Sequence, residues 1–256
     1  MISKSNIKLI LSLQRKRIRE EKSLYIIEGD KLIREHLRLG KRFQVLAAKP
    51  EFISSLLPQE IEAIDEIEHV NYEELKRIST LKTPHNSVAV VPFQDASDDS
   101  DLILGDLCIA LECIQDPGNL GTIIRSASWF GIKNIICSPD CADLYNPKVL
   151  QASMGAFLHV KVFYLNLKEF IIKAREDQFP IFGALMKGES IYNHKLDTKG
   201  VILLGNESKG ISEDLILYLT HKITIPRFNR FKYGIDSLNV GMAASVIFSE
   251  FARRRS

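Results

Sequence analysis

The stretch VILLGNESKGIS, residues 201–212, runs from four consecutive aliphatic residues directly into a loop with two glycines and a carboxylate. A continuous apolar run of this length is typical of a strand covered on both faces, as in a parallel sheet. Gly205 and Gly210 permit tight turns and close approach of a ligand to the backbone. Glu207 therefore stands at the end of a strand, where α/β proteins place ligand-binding groups. An ordinary hydrophilic loop is the alternative.

Five other segments are also short and mainly apolar, and they alternate with segments whose apolar residues have helical spacing. Short apolar runs bounded by turn residues predict strands, whereas apolar residues three or four positions apart predict helices. The predicted strands are 107–114, 134–139, 161–165, 180–185, 201–206 and 222–226. The predicted helices are 119–130, 147–157, 167–177, 211–219 and 237–254. This alternation predicts an α/β domain with a parallel sheet over residues 102–256.

An acidic segment precedes this domain. Residues 94–101 read QDASDDSD, which has four aspartates and no bulky aliphatic residue, so residues 95–101 are predicted to be a linker. Residues 1–94 predict a smaller α/β domain, because strand and helix patterns alternate there as well. Its predicted helices are 5–21, 31–40 and 72–80, and its predicted strands are 23–29, 43–49 and 87–93.

Two further strand-to-loop junctions carry polar residues. After the strand that ends near residue 114, the sequence QDPGNLGTIIR places Asn119 in a turn and Arg125 early in a helix. Both residues are candidates for a ligand pocket at the strand end. Alternatively, Asn119 is a turn or helix-capping residue and Arg125 is solvated.

The last junction follows the strand that ends at Pro226. Basic and aromatic residues alternate over residues 227–233, a pattern that suits phosphate contact and base stacking in a nucleic acid. Alternatively, these aromatic side chains belong to the core. Ser237 and Asn239 then open the last helix, either as site residues or as ordinary caps.

The composition excludes several classes of protein. The chain has 256 residues, 45% of them hydrophobic, and a formal net charge of +2, so it is neither fibrous nor wholly disordered. No apolar run approaches ~20 residues, and no secretory signal is visible. Neither a dinucleotide fingerprint nor a Walker A motif is present. The four cysteines form no zinc-binding pattern, which predicts reduced thiols, no metal and a cytoplasmic protein.

The first 22 residues are strongly basic, with seven basic and two acidic side chains. The run Arg15, Lys16, Arg17 and Arg19 predicts sequence-independent contacts with nucleic-acid phosphates. A solvated helix face is the alternative.

Taken together, the three junctions resemble the three motifs of the SpoU branch of the SPOUT methyltransferases, in the same order. The first motif is matched by Asn119-Leu120-Gly121 with Arg125, and the second by Leu204-Gly205-Asn206-Glu207 with Gly210. The third is matched by Ile225-Pro226 and then Ser237-Leu238-Asn239-Val240 with Ala243. The segment YIIEGDKLIREHL, residues 25–37, resembles the RNA-binding domain that precedes the catalytic domain in ribosomal RNA 2′-O-methyltransferases.

The resemblance implies an enzyme that methylates a ribose 2′-hydroxyl in structured RNA with S-adenosylmethionine, without a metal. Ribosomal RNA is favoured over transfer RNA because a separate N-terminal domain is present. The resemblance also implies a deep trefoil knot and a homodimer. The catalytic positions it implies are Asn119, Arg125, Glu207, Ser237 and Asn239. The cofactor-binding positions it implies are Gly205, Ile225 and Leu238.

One departure from the family pattern is visible. Ten residues, RFNRFKYGID, separate Pro226 from Ser237, where relatives have a shorter, smaller spacer.

The sequence also leaves three other functions open: a transfer RNA 2′-O-methyltransferase, a SPOUT enzyme that methylates a base, and a non-catalytic RNA-binding or ribosome-assembly protein. Retention of Arg125 and Glu207 argues against the last of these.

Overall fold

The computed structural model describes residues 2–93, 105–193, 196, 199–228 and 237–254. The chain divides into two compact units. The first comprises Met1–Ser97 with Tyr145–Leu150, and the second comprises Asp98–Leu144 with Gln151–Ser256. The linker bounds 95–101 stay a prediction, because those residues lie outside the described part of the chain.

The first unit is a four-stranded sheet with short helices. Its helices are α1 (Lys4–Ser12), α2 (Lys16–Lys22), α3 (Asp30–Arg38), α4 (Pro50–Ile53), α5 (Pro58–Ile61) and α6 (Tyr72–Ile78). Its strands are β1 (Leu24–Glu28), β2 (Val45–Ala48), β3 (Ile67–His69) and β4 (Ser87–Pro92), in the order β1-β4-β2-β3. Strand β4 is antiparallel to β1 and β2, and β2 is parallel to β3. The predicted α/β character is confirmed.

The predicted single helix over residues 5–21 is wrong, because the chain breaks between α1 and α2. Arg15 has an extended backbone, and the Arg19 guanidinium donates hydrogen bonds of 2.9 Å to the carbonyls of Leu13 and Gln14. Arg19 is only 2% exposed. Its charge satisfies carbonyl groups at the end of α1 that lack helical partners, so the expectation that Arg19 contacts phosphate is also wrong.

The second unit is a six-stranded, wholly parallel sheet covered by helices. Its strands are β5 (Leu107–Leu111), β6 (Asn134–Cys137), β7 (Lys161–Tyr164), β8 (Ile181–Ser190), β9 (Gly200–Leu204) and β10 (His221–Thr224). Its helices are α7 (Pro117–Trp129), α9 (Leu167–Glu176), α10 (Glu213–Ile216) and α11 (Val240–Arg253), with a 3₁₀ turn at Ala156–Leu158. Helix α8 (Pro147–Ser153) is divided between the two units, because the first unit includes residues up to Leu150. The strand order is β10-β8-β9-β5-β6-β7. This architecture confirms the predicted parallel α/β sheet.

Several boundaries differ from prediction: β5 ends at Leu111 rather than at residue 114, and α10 is only Glu213–Ile216 rather than 211–219. Helix α11 begins at Val240 rather than at residue 237, because the Asn239 side chain, not that of Ser237, accepts hydrogen bonds from the first backbone N–H groups. Strand β8 continues to Ser190, and its pairing with β10 shifts register between Gly183 and Glu189. The trefoil knot stays a prediction, because residues 229–236 lie outside the described part of the chain.

Each unit has its own hydrophobic core, built from buried aliphatic residues of its strands and helices. Strand β5 is buried at every position, as expected for a strand covered on both faces. Within the described residues, no helix is long and apolar enough to cross a membrane.

A buried histidine joins β1 to α3 in the first unit. His36 is fully buried; its Nδ1 lies 2.9 Å from the Leu32 carbonyl and its Nε2 lies 3.1 Å from the Tyr25 hydroxyl. The carbonyl can only accept, so Nδ1 carries the proton and Nε2 accepts from Tyr25. Burial lowers the pKa of His36 from its ordinary 6.5 to about 4.

This lowered pKa predicts an acid-sensitive first unit. The folded state keeps His36 neutral down to about pH 4, whereas the unfolded chain binds a proton near pH 6.5. The contribution of His36 to the free energy of unfolding is therefore fully present above pH 6.5. It falls as the pH drops toward 4, by about 2 kcal/mol between pH 7 and 5. Urea unfolding of the wild type and His36→Gln measures this. The variant should lose less stability over the same range, and an equal loss would contradict the assignment.

Candidate active site

The strand order creates a crevice beside β5. The chain continues from β5 to β6 on one side, whereas β9 pairs with β5 on the other. In open α/β sheets, ligands bind outside the carboxyl ends of the strands at the point where the order reverses. The segments after β5 and β9 carry the first two polar junctions, so they meet at this edge of the sheet.

Three side chains from the three junctions form one hydrogen-bonded chain at this edge. Asn239 Nδ2 lies 2.8 Å from Asn119 Oδ1, and Asn119 Nδ2 lies 3.0 Å from Glu207 Oε1. Asn119 is in the first turn of α7, Glu207 follows β9, and Asn239 caps α11. We call these three residues the Asn-Asn-Glu relay.

The direction of the relay is set at the cap of α11. The backbone N–H groups of Gly241 and Met242 donate to Asn239 Oδ1, which leaves the Asn239 amide nitrogen facing Asn119. Asn119 must then accept with its oxygen and donate with its nitrogen. Glu207 receives that donation as a carboxylate, and its second oxygen lies 3.5 Å from Asn206 Nδ2. One Glu207 oxygen is therefore positioned by the relay, while the other keeps acceptor capacity.

The loop that carries Glu207 is closed by its neighbours. Asn206 and Gly210 exchange two backbone hydrogen bonds, and Asn206 Oδ1 accepts from the N–H groups of Ser208 and Lys209. A Cβ added at Gly205 would lie 2.2 Å from the Gly210 carbonyl carbon. Only glycine at position 205 allows this close approach of the two backbones.

Sequence reasoning gave no role to Asn206 and Cys113, although both support the site. Asn206 Nδ2 donates to the Cys113 carbonyl at 2.8 Å, and the Cys113 N–H donates to Ser138 Oγ at 2.8 Å. Cys113 has a left-handed backbone, with φ of 56°. Its hydrogen bond with Asp140 raises the pKa of the thiol to about 11, so the thiol stays neutral. The asparagine beside Glu207 was visible in the sequence, but its partner Cys113 lies outside the three motifs, 93 positions earlier in the chain.

Arg125 and Ser237 are not part of the relay. Arg125 is exposed, six residues beyond Asn119 along α7, and its Nη1 lies 2.8 Å from Met154 Sδ. Among the described residues, no ion pair joins Arg125 to Glu207. Ser237 is exposed and precedes the cap of α11. The structure thus brings together three of the five predicted catalytic residues.

The predicted cofactor residues offer backbone and apolar surface at the same end of the sheet. Gly205 follows β9 directly, and Ile225 follows β10 directly and is half-buried. Leu238 precedes α11 and is 53% exposed. None of the three carries a charge, and such a set suits a flat, neutral ring such as adenine. In the described part of the chain, no cluster of His, Cys, Asp or Glu side chains could hold a metal ion.

Comparison with family models identifies the chain. The SpoU rRNA methylase family matches residues 106–249, and an MRM3-like substrate binding domain matches residues 4–89. The first match spans more than half of the chain, which therefore belongs to the SpoU rRNA methylase family. The chain is an RNA methyltransferase, and the predicted family and enzyme class are confirmed.

Several similar proteins align with nearly the whole length of this chain. A 23S rRNA guanosine 2′-O-methyltransferase from Bacillus subtilis, RlmP, is 23% identical over 92% of this chain and 91% of its own length. A protein from Porphyromonas gingivalis assigned to the TrmH family of RNA methyltransferases has a solved structure with a TM-score of 0.87, 32% identity and 99% coverage of both chains. An AdoMet-bound rRNA methyltransferase from Sinorhizobium meliloti gives a TM-score of 0.86 and 26% identity, covering 100% of this chain and 97% of its own.

Gly205→Ala tests the closure of the Glu207 loop. The added methyl group would meet Gly210 at 2.2 Å, so the loop must shift, and the free energy of unfolding should fall by about 1–3 kcal/mol. Chemical denaturation measures the change. Gly105→Ala is the matched control, because nothing lies within 4 Å of the Cβ it would add. Equal stability of the two variants would contradict the tight approach.

Proposed function

We propose that this chain transfers a methyl group from S-adenosylmethionine to a ribose 2′-hydroxyl of ribosomal RNA, with 23S rRNA as the favoured substrate. The observation that carries the proposal is the Asn-Asn-Glu relay, which joins all three SpoU motifs at the carboxyl edge of the sheet. The name of the Bacillus subtilis relative supports ribose 2′-O specificity and the ribosomal target. Free thiols at all four cysteines fit a cytoplasmic protein.

The residues at the strand ends fit S-adenosylmethionine. Gly205, Ile225 and Leu238 would hold its adenosine part through backbone groups and aliphatic side chains, and the AdoMet-bound relative supports this cofactor. When bound, the cofactor supplies an electrophilic methyl group on a sulfonium sulfur. The protein's tasks are then to position the ribose hydroxyl and to remove its proton.

Glu207 is the proton acceptor in this proposal. One of its oxygens is occupied by Asn119 Nδ2 at 3.0 Å, which aims the carboxylate, and the other retains lone pairs for the hydroxyl proton. Asn119 and Asn239 act as positioning residues, since their mutual hydrogen bond fixes the orientation of the carboxylate. Ser237, exposed beside this cap, would contact the ribose.

Arg125 has a different role. A guanidinium group holds its proton too tightly to act as a general base, and Arg125 does not pair with Glu207 among the described residues. Its exposed guanidinium suits bidentate contact with the phosphate next to the reacting ribose, or with developing negative charge on the 2′-oxygen. Arg125 would then stabilise the transition state, while Glu207 accepts the proton of the ribose 2′-hydroxyl.

The proposed enzyme is a homodimer. Trp129, on the same side of α7 as Arg125, is 84% exposed, and Met154 beside Arg125 is also exposed. A large exposed apolar patch marks an interaction surface. The small residues of α11, by contrast, pack inside the unit, because Gly241 lies against Thr122 and Ser245 bonds to Ser126.

Methylation of rRNA tests the function. The full chain is incubated with S-adenosylmethionine carrying a labelled methyl group and with rRNA from cells that lack the enzyme. Label should appear at one nucleotide whose phosphodiester bond becomes resistant to alkali, because methylation removes the attacking 2′-hydroxyl. Label in tRNA alone, or label on a base with the bond still alkali-sensitive, would overturn the proposal.

Two substitutions separate the roles of the charged residues. Glu207→Gln keeps the shape but removes the proton acceptor, so turnover should fall about 10²- to 10⁴-fold. Arg125→Ala removes a charged stabiliser and should lower turnover by about 10²-fold or more. Calorimetry should show retained binding of S-adenosylmethionine by both variants, since neither residue is among the proposed cofactor contacts. Near-normal turnover of either variant would remove that residue from the mechanism.

Sedimentation tests the dimer. The wild type should sediment with about twice the 29.0 kDa chain mass. Trp129→Glu places a charge in the proposed interface and should give monomers. Leu217→Glu is the matched control, because Leu217 is 82% exposed in the same unit but lies at the C-cap of α10, away from α7 in the sequence. A wild-type mass of one chain, or dimers of Trp129→Glu as stable as those of Leu217→Glu, would contradict the interface.

A further inference from the structure

The segment after β5 holds the loop that carries Glu207 at both of its ends. At the start of that loop, Asn206 Nδ2 donates to the Cys113 carbonyl at 2.8 Å. At its end, the Ser212 N–H donates to Glu112 Oε2 at 2.8 Å. Two consecutive residues of one segment, Glu112 and Cys113, therefore fix the position of the Glu207 loop.

Asn206 connects this segment to the Glu207 carboxylate itself. Asn206 Oδ1 accepts from the N–H groups of Ser208 and Lys209, which defines the orientation of the amide group. The amide nitrogen lies 2.8 Å from the Cys113 carbonyl oxygen and 3.5 Å from Glu207 Oε2. Glu207 Oε2 is the oxygen that the Asn-Asn-Glu relay leaves with acceptor capacity. The Cys113 carbonyl therefore determines how the Asn206 amide faces the proposed proton acceptor.

The Cys113 carbonyl is aimed by a disfavoured backbone conformation. The φ of Cys113 is 56°, in the left-handed region that a residue with a Cβ atom adopts only when its surroundings hold it there. The Cys113 N–H donates to Ser138 Oγ at 2.8 Å, just after β6. The next residue, Ile114, donates its N–H to Cys141 Sγ at 3.2 Å and accepts from the Ala142 N–H at 2.8 Å. The loop after β6 thus supports the conformation of Cys113.

Asp140 completes this support with one exposed side chain. The Ser138 hydroxyl accepts from the Cys113 N–H and donates its own proton to Asp140 Oδ1. The Cys113 thiol also hydrogen-bonds to the Asp140 carboxylate. The hydrogen bonds from Ser138 and Cys113 hold the pKa of Asp140 below its ordinary value, so the group stays ionised and can only accept. Asp140 therefore orients both the hydroxyl that holds the Cys113 N–H and the Cys113 side chain.

We infer that Asp140 is a positioning residue for methyl transfer. It acts on Glu207 through a chain of hydrogen bonds whose successive members are Ser138, Cys113 and Asn206. The inference rests on the proposed function, because that function makes Glu207 the proton acceptor. It adds a fourth strand end to the site, since the loop after β6 supplies no member of the Asn-Asn-Glu relay and yet orients its carboxylate.

Steady-state kinetics of methyl transfer test the inference. Asp140→Ala removes the acceptor that holds the Cys113 peptide, so Glu207 should lose its alignment and kcat should fall about 10- to 100-fold, the cost of a displacement of roughly 1 Å. The KM for RNA should change by less than about 3-fold, because the lost alignment matters chiefly in the transition state. Asp140→Asn keeps an oxygen that accepts from Ser138, so its kcat should stay within about 3-fold of the wild type. Asp177→Ala, at an exposed aspartate at the end of α9, is the matched control and should leave both constants unchanged.

A double-mutant cycle separates positioning from a general loss of structure. If Asp140 acts through Glu207, Asp140→Ala should lower turnover by less than about 2-fold in the Glu207→Gln background, since the effects of residues that act as a unit are not additive. Ser138→Ala breaks the same chain of hydrogen bonds and should reproduce the kcat of Asp140→Ala. An equal loss in the Glu207→Gln background, or a rise in KM at constant kcat, would overturn the inference.

Hydrogen exchange of the full chain tests the same contacts without activity. The amide protons of residues 206–212 should exchange several-fold faster in Asp140→Ala than in the wild type, because the Asn206 side chain loses its fixed partner. Asp177→Ala should leave their protection unchanged. Exchange of these amides at the wild-type rate in Asp140→Ala would show that the carboxylate does not hold the loop, and the inference would be wrong.

The inference and the proposed function fail separately. If the wild type transfers no methyl group to rRNA while residues 206–212 of Asp140→Ala exchange faster, the proposed function fails and the support of the Glu207 loop by Asp140 stands. If the wild type is active and Asp140→Ala matches it in kcat and in exchange, the inference fails and the proposed function stands.

Discussion

The hydrogen bond between Asn119 and Glu207 is the contact on which the arrangement of the site depends. It joins the helix after β5 to the loop after β9, and the amide of Asn239 completes it from the start of α11. Each partner is itself fixed: Asn119 by the first turn of α7, Glu207 by a glycine-closed loop, and Asn239 by two backbone N–H groups. Removal of the Asn119 amide takes away the hydrogen bond that aims Glu207 Oε1, and removal of the Asn239 amide takes away the partner that orients Asn119.

The sequence predicted the sheet because its strands are continuous apolar runs, and β5 and β9 are buried at every position. It placed Asn119 and Glu207 just after strand ends for the same reason, and it placed Asn239 at the start of the last helix. It did not predict that these three side chains form one relay, because amide orientation depends on which backbone groups lie opposite. The burial of Arg19 was also not predicted. A run of basic residues is usually exposed to solvent, and the carbonyl groups to which Arg19 donates are brought to it only by the fold.

The site draws its residues from three separate junctions of the chain. The second unit holds the Asn-Asn-Glu relay and the strand-end residues that fit the cofactor at one edge of its sheet. At the carboxyl ends of parallel strands, side chains from separate segments converge without any one loop having to be long. Junctions that are far apart in the sequence can therefore supply one site.

The sequence distances spanned by the relay have a consequence for folding. The Asn119–Glu207 bond joins residues 88 positions apart, and the Asn239–Asn119 bond joins residues 120 apart. Contacts of such separation form late, because the chain loses loop entropy before they stabilise it. During synthesis, a nascent chain can complete the sheet around β5 before Asn239 has left the ribosome. Catalytic competence should thus be among the last properties this protein acquires.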